Sequence, residues 1–153
     1  MSESTIDHRY MEFRLGDQLY AIPLLTVKEV IQKPEISTVP NMPSHFEGMM
    51  NLRGQILGIF QVRKKLSMKA SDTKNNSHEV IIVLEQSEGS VGMIVDEVTR
   101  VLHAEGDMLQ PAPLQEDYPA KKYISAVIRT EDNLVLIVDV MELLEINKHA
   151  KAA

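Results

Sequence analysis

Hydrophobic residues along this chain fall mostly into short alternating or continuous runs, which is the pattern of β-strands. The first run is the clearest, because Met11, Phe13 and Leu15 point to one side while Tyr10, Glu12 and Arg14 point to the other. Turn residues follow each run at short spacing. The runs predict strands in the following segments: 10–15, 19–24, 49–52, 55–60, 80–84, 91–95, 98–102, 124–128 and 134–138.

Helical spacing of apolar residues is confined to three short segments. Between Leu24 and Ile31 this spacing persists for one or two turns, until Pro34 and Pro40 stop any continuation. Short helices are also predicted at 62–66 and 140–146. Many short strands with frequent turns and almost no long helix are typical of sandwiches or small barrels.

The two halves of the chain resemble each other in the order of their elements. A step with valine at both ends and an acid between them occurs at 27–30 and again at 95–98. A hairpin that runs into a short helix occurs at 55–66 and at 133–144. Any all-β protein repeats hairpins, which is the other explanation of the likeness. We predict an all-β fold, mainly β with short helices, made of two five-stranded barrels.

The whole pattern fits a single domain at about 10–147. Its halves are predicted at about 10–68 and 78–147, because the segment 67–78 is polar and lacks periodicity, as expected of a connecting loop. Flexible segments are expected at the two ends of the chain, at 1–9 and 148–153.

The composition narrows the class of protein. The chain of 153 residues has no cysteine, so disulfides, thiol nucleophiles and thiolate metal sites are excluded, and a reducing compartment fits best. The N-terminus lacks a basic stretch followed by an apolar one, and no apolar run approaches the roughly 18 residues of a membrane span. We therefore expect a cytoplasmic protein without direct membrane insertion.

Charge argues against nucleic acid as a partner. The net charge is −6, with 16 basic and 22 acidic residues, and it is divided into +2 for residues 1–78 and −8 for residues 79–153. Proteins that bind nucleic acid show dense basic patches interleaved with aromatic residues, and this chain has three Phe, four Tyr and no Trp. The cluster Arg63-Lys64-Lys65 is interpreted as the solvated face of a short helix rather than a phosphate track.

No motif points to catalysis, a metal or a cofactor. The five histidines are scattered and no two have metal-ligand spacing. Phosphate loops, nucleophile elbows and zinc-protease signatures are missing. Asp96 and Glu97 are adjacent, and on a strand they would point to opposite faces, so they cannot form an acid–base pair with each other. An enzyme of unrecognised type is therefore the least favoured interpretation.

The turn at Arg53-Gly54 is the first candidate for a contact site. A tight turn favours Gly54, because positive φ is inexpensive only without a Cβ, but it gives no reason for Arg53. A guanidinium held at a rigid turn is a preformed set of donors for a partner. The alternative is a solvated surface arginine. Glu29 carries an exposed carboxylate in the predicted helical step and is a second candidate for a charged contact.

Together these features resemble the CheW family of chemotaxis coupling proteins over about residues 10–147. The segments that carry the resemblance are FRLGDQLYAI (13–22), VKEV (27–30), VP (39–40), GMMNLRGQI (48–56), VGMIVDEV (91–98) and LVLIVD (134–139). The chain departs from many relatives after the central motif, with Gly58 in place of a proline and Gln61-Val62 in place of aspartate-leucine.

The resemblance implies two SH3-like β-barrel subdomains and a non-catalytic scaffold. Such an adaptor couples the cytoplasmic tip of chemoreceptors, the methyl-accepting chemotaxis proteins, to the regulatory domain of the histidine kinase CheA in membrane-associated arrays. The residues that the resemblance assigns to receptor or kinase binding are Val27, Glu29, Gly48, Asn51, Arg53 and Gly54.

The sequence is also compatible with two other functions. One is a CheW-like adaptor of a non-flagellar array that serves twitching or gliding motility. The other is a free-standing peptide-binding barrel, which would bind one ligand in isolation rather than both a receptor and a kinase.

Overall fold

A computed structural model describes residues 7–66, 79–86, 89–115 and 121–144 of the chain. Over these residues it contains eleven strands and two short α-helices. The strands are β1 (Arg9–Leu15), β2 (Gln18–Pro23), β3 (Val27–Gln32), β4 (Phe46–Leu52), β5 (Gln55–Gln61), β6 (Val80–Gln86), β7 (Gly89–Val95), β8 (Glu97–His103), β9 (Leu109–Gln110), β10 (Ile124–Arg129) and β11 (Leu134–Val138). The helices are α1 (Val62–Lys65) and α2 (Val140–Leu144), and short 3-10 turns occur at Leu24–Thr26, Gly106–Met108 and Lys121–Tyr123. None of the helices in these ranges is long and apolar enough to cross a membrane.

The strands form two sheets, which confirms the predicted mainly β class. The six-stranded sheet has the order β8-β1-β2-β11-β10-β9, and the five-stranded sheet has the order β3-β6-β7-β5-β4. The prediction of five strands in each half is wrong for the first sheet. Its additional strand is the two-residue β9, which pairs with β10 opposite Val127 and Ile128.

Both sheets contain a parallel pair that joins distant parts of the sequence. In the first sheet β2 pairs with β11, with Leu19 opposite Val135, and in the second β5 pairs with β7, with Gly58 opposite Val91. The described residues accordingly form two compact units that are interleaved in sequence, whereas the predicted halves are contiguous. The first unit comprises 7–13, 18–26, 99–115 and 121–144. The second unit comprises 14–17, 27–66, 79–86 and 89–98.

Each unit has its own apolar cluster, contributed by the inward-facing residues of its strands. That of the first unit consists of Ala21, Leu102, Ala104, Ile128, Val135 and Ile137. That of the second unit consists of Met50, Leu57, Ile59, Ile81, Val83 and Ile94. Alternate residues of β4 and β5 enter the second cluster, which fixes the face that each residue of this hairpin presents.

The predicted helix at 24–31 is wrong. The structure has one 3-10 turn at Leu24–Thr26, and β3 follows from Val27 to Gln32 as an edge strand beside β6. Residues of β3 alternate between half-buried and exposed with a period of two. The branched side chains of Val27, Val30 and Ile31 fit a pleated surface, and pairing with β6 overrides the short helical spacing.

Glu12 differs from its predicted place on the solvent side of β1. Its side chain is buried, because β8 lies beside β1 in the sheet. The hydroxyl of Thr99 donates to Glu12 Oε1 at 2.6 Å, and Nε of Arg100 lies 3.3 Å from the same oxygen. At Glu12, β1 is therefore buried on both faces, although apolar and polar residues alternate along its sequence.

The remaining predicted elements agree with the structure where it describes them. The hairpin β4–β5, the hairpin β10–β11 and both short helices are present. The predicted connecting loop at 67–78, the tail at 148–153 and the last two residues of the predicted C-terminal helix lie outside the described residues. The prediction of a flexible segment at 1–9 falls partly outside them, and β1 already begins at Arg9.

Candidate functional site at the β4–β5 turn

Arg53 and Gly54 form a two-residue hairpin loop. The register pairs Leu52 with Gln55, so only these two residues lie between the paired strands. Their φ angles are 51° for Arg53 and 89° for Gly54. Positive φ at both central positions defines a type I′ turn, whose twist matches that of the flanking strands.

Two of the predicted site residues build this turn. Gly54 supplies the positive φ at the second central position, and no atom lies within 4 Å of where a Cβ would stand. Asn51 accepts a hydrogen bond at its Oδ1 from the backbone N–H of Gly54, at 2.9 Å. Asn51 and Gly54 therefore determine the shape of the turn that presents Arg53.

Arg53 occupies a backbone conformation that arginine disfavours. A residue with a Cβ costs roughly 1 kcal/mol in the left-handed region, where Asn and Gly are the usual occupants. The side chain of Arg53 is 65% exposed, so burial offers no compensation. Stability of the hairpin alone gives no reason for arginine at this position.

The structure brings Arg53 together with Glu29, another of the predicted residues. Nη2 of Arg53 donates a hydrogen bond to Oε2 of Glu29. An exposed ion pair of this kind contributes about 0–1 kcal/mol, which at best balances the strain at Arg53. What the pair does provide is orientation, because Glu29 holds the guanidinium while the other donors remain open to solvent.

A β-bulge places Glu29 on the correct face of β3. In the pairing of β3 with β6, Val27 lies opposite Leu84 and Glu29 lies opposite the next residue, Val83, so Lys28 is the extra residue. Directly opposed residues share a face. The bulge therefore turns Glu29 to the face of Val83, which carries the apolar cluster of this unit.

The contact between Arg53 and Glu29 requires a strongly curled sheet. Glu29 lies on edge strand β3, and the hairpin of Arg53 forms the opposite edge. In a flat sheet, four spacings of about 4.8 Å would separate these edges by about 19 Å, beyond the reach of an arginine. The chain after β3 also returns to β4, where Ser37 and Met49 exchange backbone hydrogen bonds of 2.9 and 2.8 Å.

Gly48 lies in β4 outside the turn, and its role in the structure is steric. A Cβ at this position would collide with the carbonyl oxygen of Ser37 and would lie 2.7 Å from Cγ2 of Ile36. The φ angle of Gly48, 153°, is also strained for any other residue. Gly48 thus allows the return segment to approach β4, rather than presenting a contact group of its own.

Val27 is the first residue of β3 and is half-buried opposite Leu84. The bulge at Lys28 separates it from Glu29, so these two residues do not form one continuous row along the strand. Of the six predicted residues, the structure brings Asn51, Arg53 and Gly54 together with Glu29. Val27 and Gly48 lie on the strands that support them.

The same unit contains a second pair of arginine and acid, which the sequence pattern did not predict. Arg63 is buried, with its side chain 5% exposed, and its Nη2 donates to Oδ2 of Asp96. The same oxygen accepts the backbone N–H of Gly16 at 2.8 Å. Arg63 was interpreted as part of a solvated face, which is wrong, whereas Lys64 beside it is exposed as expected.

No local signal in the sequence marks this pair. Glu29 is the third residue of the first valine-acid-valine step, and its equivalent in the second step is Glu97 rather than Asp96. Glu97 pairs with Arg14 at 2.9 Å, and both of those side chains are substantially exposed. The buried pair of Arg63 and Asp96 joins segments that are 33 positions apart, which no local pattern shows.

Two carboxyl groups of the first unit have lowered pKa values. Side-chain and backbone hydrogen bonds from Arg9 lower the pKa of Asp7 to about 2. A hydrogen bond from His103, with the nearby charge of His8, lowers the pKa of Glu105. Across the described ranges no group of three His, Cys, Asp or Glu side chains is placed to hold a metal ion.

The fold and this turn define a class of protein: a two-unit β protein that presents an oriented, exposed arginine on a rigid hairpin. A sequence model of the CheW-like domain matches residues 9–148. The chain is 28% identical to the chemotaxis protein CheW of Klebsiella aerogenes, over 94% of this chain and 86% of that protein. It is 25% identical to chemotaxis protein CheW of Thermotoga maritima, over 95% of this chain and 93% of that protein.

A solved structure has the same fold. The scaffolding protein TtCheW of Thermoanaerobacter tengcongensis superimposes with a TM-score of 0.80 at 24% identity, over 93% of this chain and 90% of that one. The chain belongs to the CheW-like domain family.

Proposed function

We propose that this protein is a non-catalytic adaptor that couples chemoreceptors to the histidine kinase CheA in chemotaxis signal transduction. Its membership of the CheW-like family supports this function. Its partners are the cytoplasmic tip of the receptors and the regulatory domain of the kinase. It works in the cytoplasm, associated with membrane-bound receptor arrays.

The observation that carries the site assignment is the geometry of Arg53. The side chain is 65% exposed on a two-residue turn whose backbone disfavours arginine, and Glu29 holds it in place. Orientation before binding reduces the entropy that a partner must overcome. A guanidinium has five N–H donors in a fixed fork and matches carboxylates and carbonyl groups. The turn thus presents a preformed set of donors to a partner.

Binding energy alone is sufficient for the coupling function. If receptor and kinase each bind better to one state of the assembly, a coupling free energy of about 1–3 kcal/mol transmits the signal. Interfaces for this purpose combine an apolar centre with a charged rim. The β4–β5 hairpin has this character, because exposed Met49 and Ile56 lie on the strands that lead to Arg53.

Co-sedimentation with both partners tests the proposal. The wild type is expected to sediment with receptor tip fragments and to recruit the kinase regulatory domain, whereas Arg53→Glu is expected to lose at least one of these interactions. Arg129→Glu is the matched control, since it makes the same charge change at an exposed strand residue of the other unit.

Two results would contradict the proposal in different ways. Binding of one peptide ligand without any receptor or kinase interaction would favour the free-standing peptide-binding module. Unchanged binding of both partners by a folded Arg53→Glu variant would refute the site assignment while leaving the adaptor function in place. An adaptor of a non-flagellar array predicts the same binding with the receptors and kinase of that array.

A further inference from the structure

The chain contains sulfur only as thioether, since it has nine methionines and no cysteine. Oxidation of methionine to the sulfoxide depends on exposure of the side chain. Among the methionines that the structure describes, three are exposed to similar extents: Met42 at 42%, Met49 at 38% and Met141 at 41%. Met93 is fully buried. Within the described part of the chain, two-electron oxidants therefore have a small set of accessible targets.

Met49 differs from the other exposed methionines in its place on the candidate site. It lies on β4 opposite Gly58, which has no side chain to cover the thioether. Alternate residues of a strand share a face, and directly opposed residues do as well, so Met49 lies on the face of Asn51 and Ile56. Those two residues form the second pair along the hairpin from the turn that carries Arg53.

The backbone of Met49 is fixed. Its N–H donates to the carbonyl oxygen of Ser37, and its carbonyl oxygen accepts the N–H of Ser37. The side chain therefore cannot move away from the face of the hairpin by local rearrangement of the strand. A change in its polarity directly alters the exposed face of the hairpin that carries Arg53.

We propose that Met49 is a modification site at which oxidation to the sulfoxide weakens binding of a partner to the Arg53 hairpin. The sulfur lone pair attacks one oxygen of hydrogen peroxide, the O–O bond breaks and an S–O bond forms. The second oxygen leaves as water with both protons. Sulfur is oxidised by two electrons and peroxide is reduced. This inference rests on the proposed function, because it concerns regulation of the same site.

The physical reason is the change from an apolar to a polar side chain. A flexible thioether fills an apolar contact, whereas a sulfoxide brings a strong acceptor that must be desolvated on binding. Loss of one well-buried apolar contact corresponds to about a tenfold increase in Kd. A methionine sulfoxide reductase with a thiol reductant restores the thioether: two thiols are oxidised to a disulfide and the sulfoxide oxygen leaves as water, so the effect is reversible.

Three proteins treated with hydrogen peroxide test this inference: the wild type, Met49→Leu, and the double variant Met42→Leu with Met141→Leu. Mass spectrometry measures oxidation at each methionine, with Met93 as the buried reference. Co-sedimentation with receptor tip fragments and the kinase regulatory domain measures binding before and after treatment. Leucine conserves volume and apolar character, so all three untreated proteins are expected to fold. The double variant is expected to bind as the untreated wild type does, and oxidised Met49→Leu is compared with its own untreated form.

Oxidised wild type and oxidised double variant are expected to bind at least one partner about tenfold more weakly, whereas oxidised Met49→Leu binds as it did before treatment. Met49→Gln, which places a polar amide at this position without an oxidant, is expected to show the same weakening. Equal loss of binding in Met49→Leu and wild type would overturn the inference, as would unchanged binding of a wild type oxidised at Met49. Failure of untreated wild type to bind either partner would instead count against the proposed function.

Discussion

At the scale of single residues, folding explains Asn51, Gly54 and Gly48 in and beside the turn but does not explain Arg53. Asn51 and Gly54 give the hairpin its shape, and Gly48 lets the returning chain approach β4. Arg53 satisfies none of these requirements and occupies a strained φ of 51°. Its ion pair with Glu29 orients the guanidinium, which supports our proposal that Arg53 serves binding rather than stability.

Replacement of Arg53 by asparagine tests this separation. Asparagine is favoured at positive φ, which should gain about 1 kcal/mol, while loss of the exposed ion pair costs at most about the same. We expect the free energy of unfolding, measured by urea denaturation, to equal or exceed that of the wild type. Binding of at least one partner should be lost. A destabilisation of more than about 2 kcal/mol would show that Arg53 is a folding residue.

Replacement of Gly48 by alanine should produce the opposite result. The added Cβ collides with the backbone of Ser37 at a position where the backbone also disfavours it, which we expect to cost roughly 2–4 kcal/mol. Gly54→Ala is the matched control, because it has the strained φ but open space around the Cβ, and should cost only about 1 kcal/mol. Denaturation curves that show equal losses for the two variants would rule out the steric role of Gly48.

The pKa of Asp7 provides a residue-level check in the first unit. NMR titration of the wild type should give a value of about 2, and Arg9→Gln should return it towards the ordinary 3.8. Because the folded pKa is lowered, the stabilising effect of this contact is present above the unfolded pKa and is lost as pH falls towards about 2. An unchanged titration in Arg9→Gln would show that Arg9 is not the cause.

At the scale of elements, the buried pair of Arg63 and Asp96 connects three segments of the second unit. Asp96 follows β7, Arg63 lies in α1, and Gly16 lies in the turn after β1. Removal of one partner from a buried pair leaves the other charge without compensation, which is far more costly than loss of an exposed pair. In Arg63, Nε and Nη1 already lack hydrogen-bond partners within the described residues.

Asp96→Asn should therefore destabilise the protein by about 3–5 kcal/mol in thermal or urea unfolding. Glu97→Gln is the control on the adjacent residue. Its carboxylate pairs with Arg14 at 2.9 Å, but both side chains are substantially exposed, and the expected loss is below about 1 kcal/mol. Similar losses in the two variants would indicate that burial of the Asp96 pair has little energetic weight.

At the scale of the whole molecule, the sequence predicted the class of fold but not how its segments are distributed. Period-two runs and turn residues located the hairpins, because these depend on neighbours in sequence. The interleaving of the two units depends on parallel pairing between strands that are distant in sequence, such as β2 and β11. No local sequence pattern indicates such pairing. The distribution of charge could not be predicted either, because the sequence halves are not the structural units. The sequence halves carry net charges of +2 and −8, whereas the described residues of the two units carry net charges of −3 and −1.

The sequence predicted only part of the candidate site, because local patterns do not show contacts between segments that are distant in sequence. The turn at Arg53-Gly54 was visible as a local irregularity, and the family resemblance named Glu29. The contact between them spans 24 residues and depends on a bulge and on the curl of the sheet. Burial of Glu12 and Arg63 likewise depends on segments that are distant in sequence. Alternation along β1 therefore predicted Glu12 on the polar face, and the charge of the Arg63-Lys64-Lys65 cluster predicted Arg63 on a solvated face.

Fragments corresponding to the two sequence halves test the interleaving of the units. We expect the fragments 10–68 and 78–147, expressed separately, to show no cooperative unfolding transition. The first lacks β6 and β7, which pair with β3 and β5, and the second lacks β1 and β2, the neighbours of β8 and β11. The full chain is the control. Cooperative unfolding of either fragment, measured by circular dichroism, would contradict this expectation.

The parallel pairing of β2 with β11 also has a consequence for synthesis of the protein on the ribosome. The paired residues Leu19 and Val135 are 116 positions apart. At about 5–20 residues per second, β2 leaves the ribosome on the order of ten seconds before its partner exists. All strands of the second sheet lie between Val27 and Val95 and emerge earlier. The second unit can thus fold during translation, while β2 waits with an unpaired edge that is open to aggregation or to a chaperone.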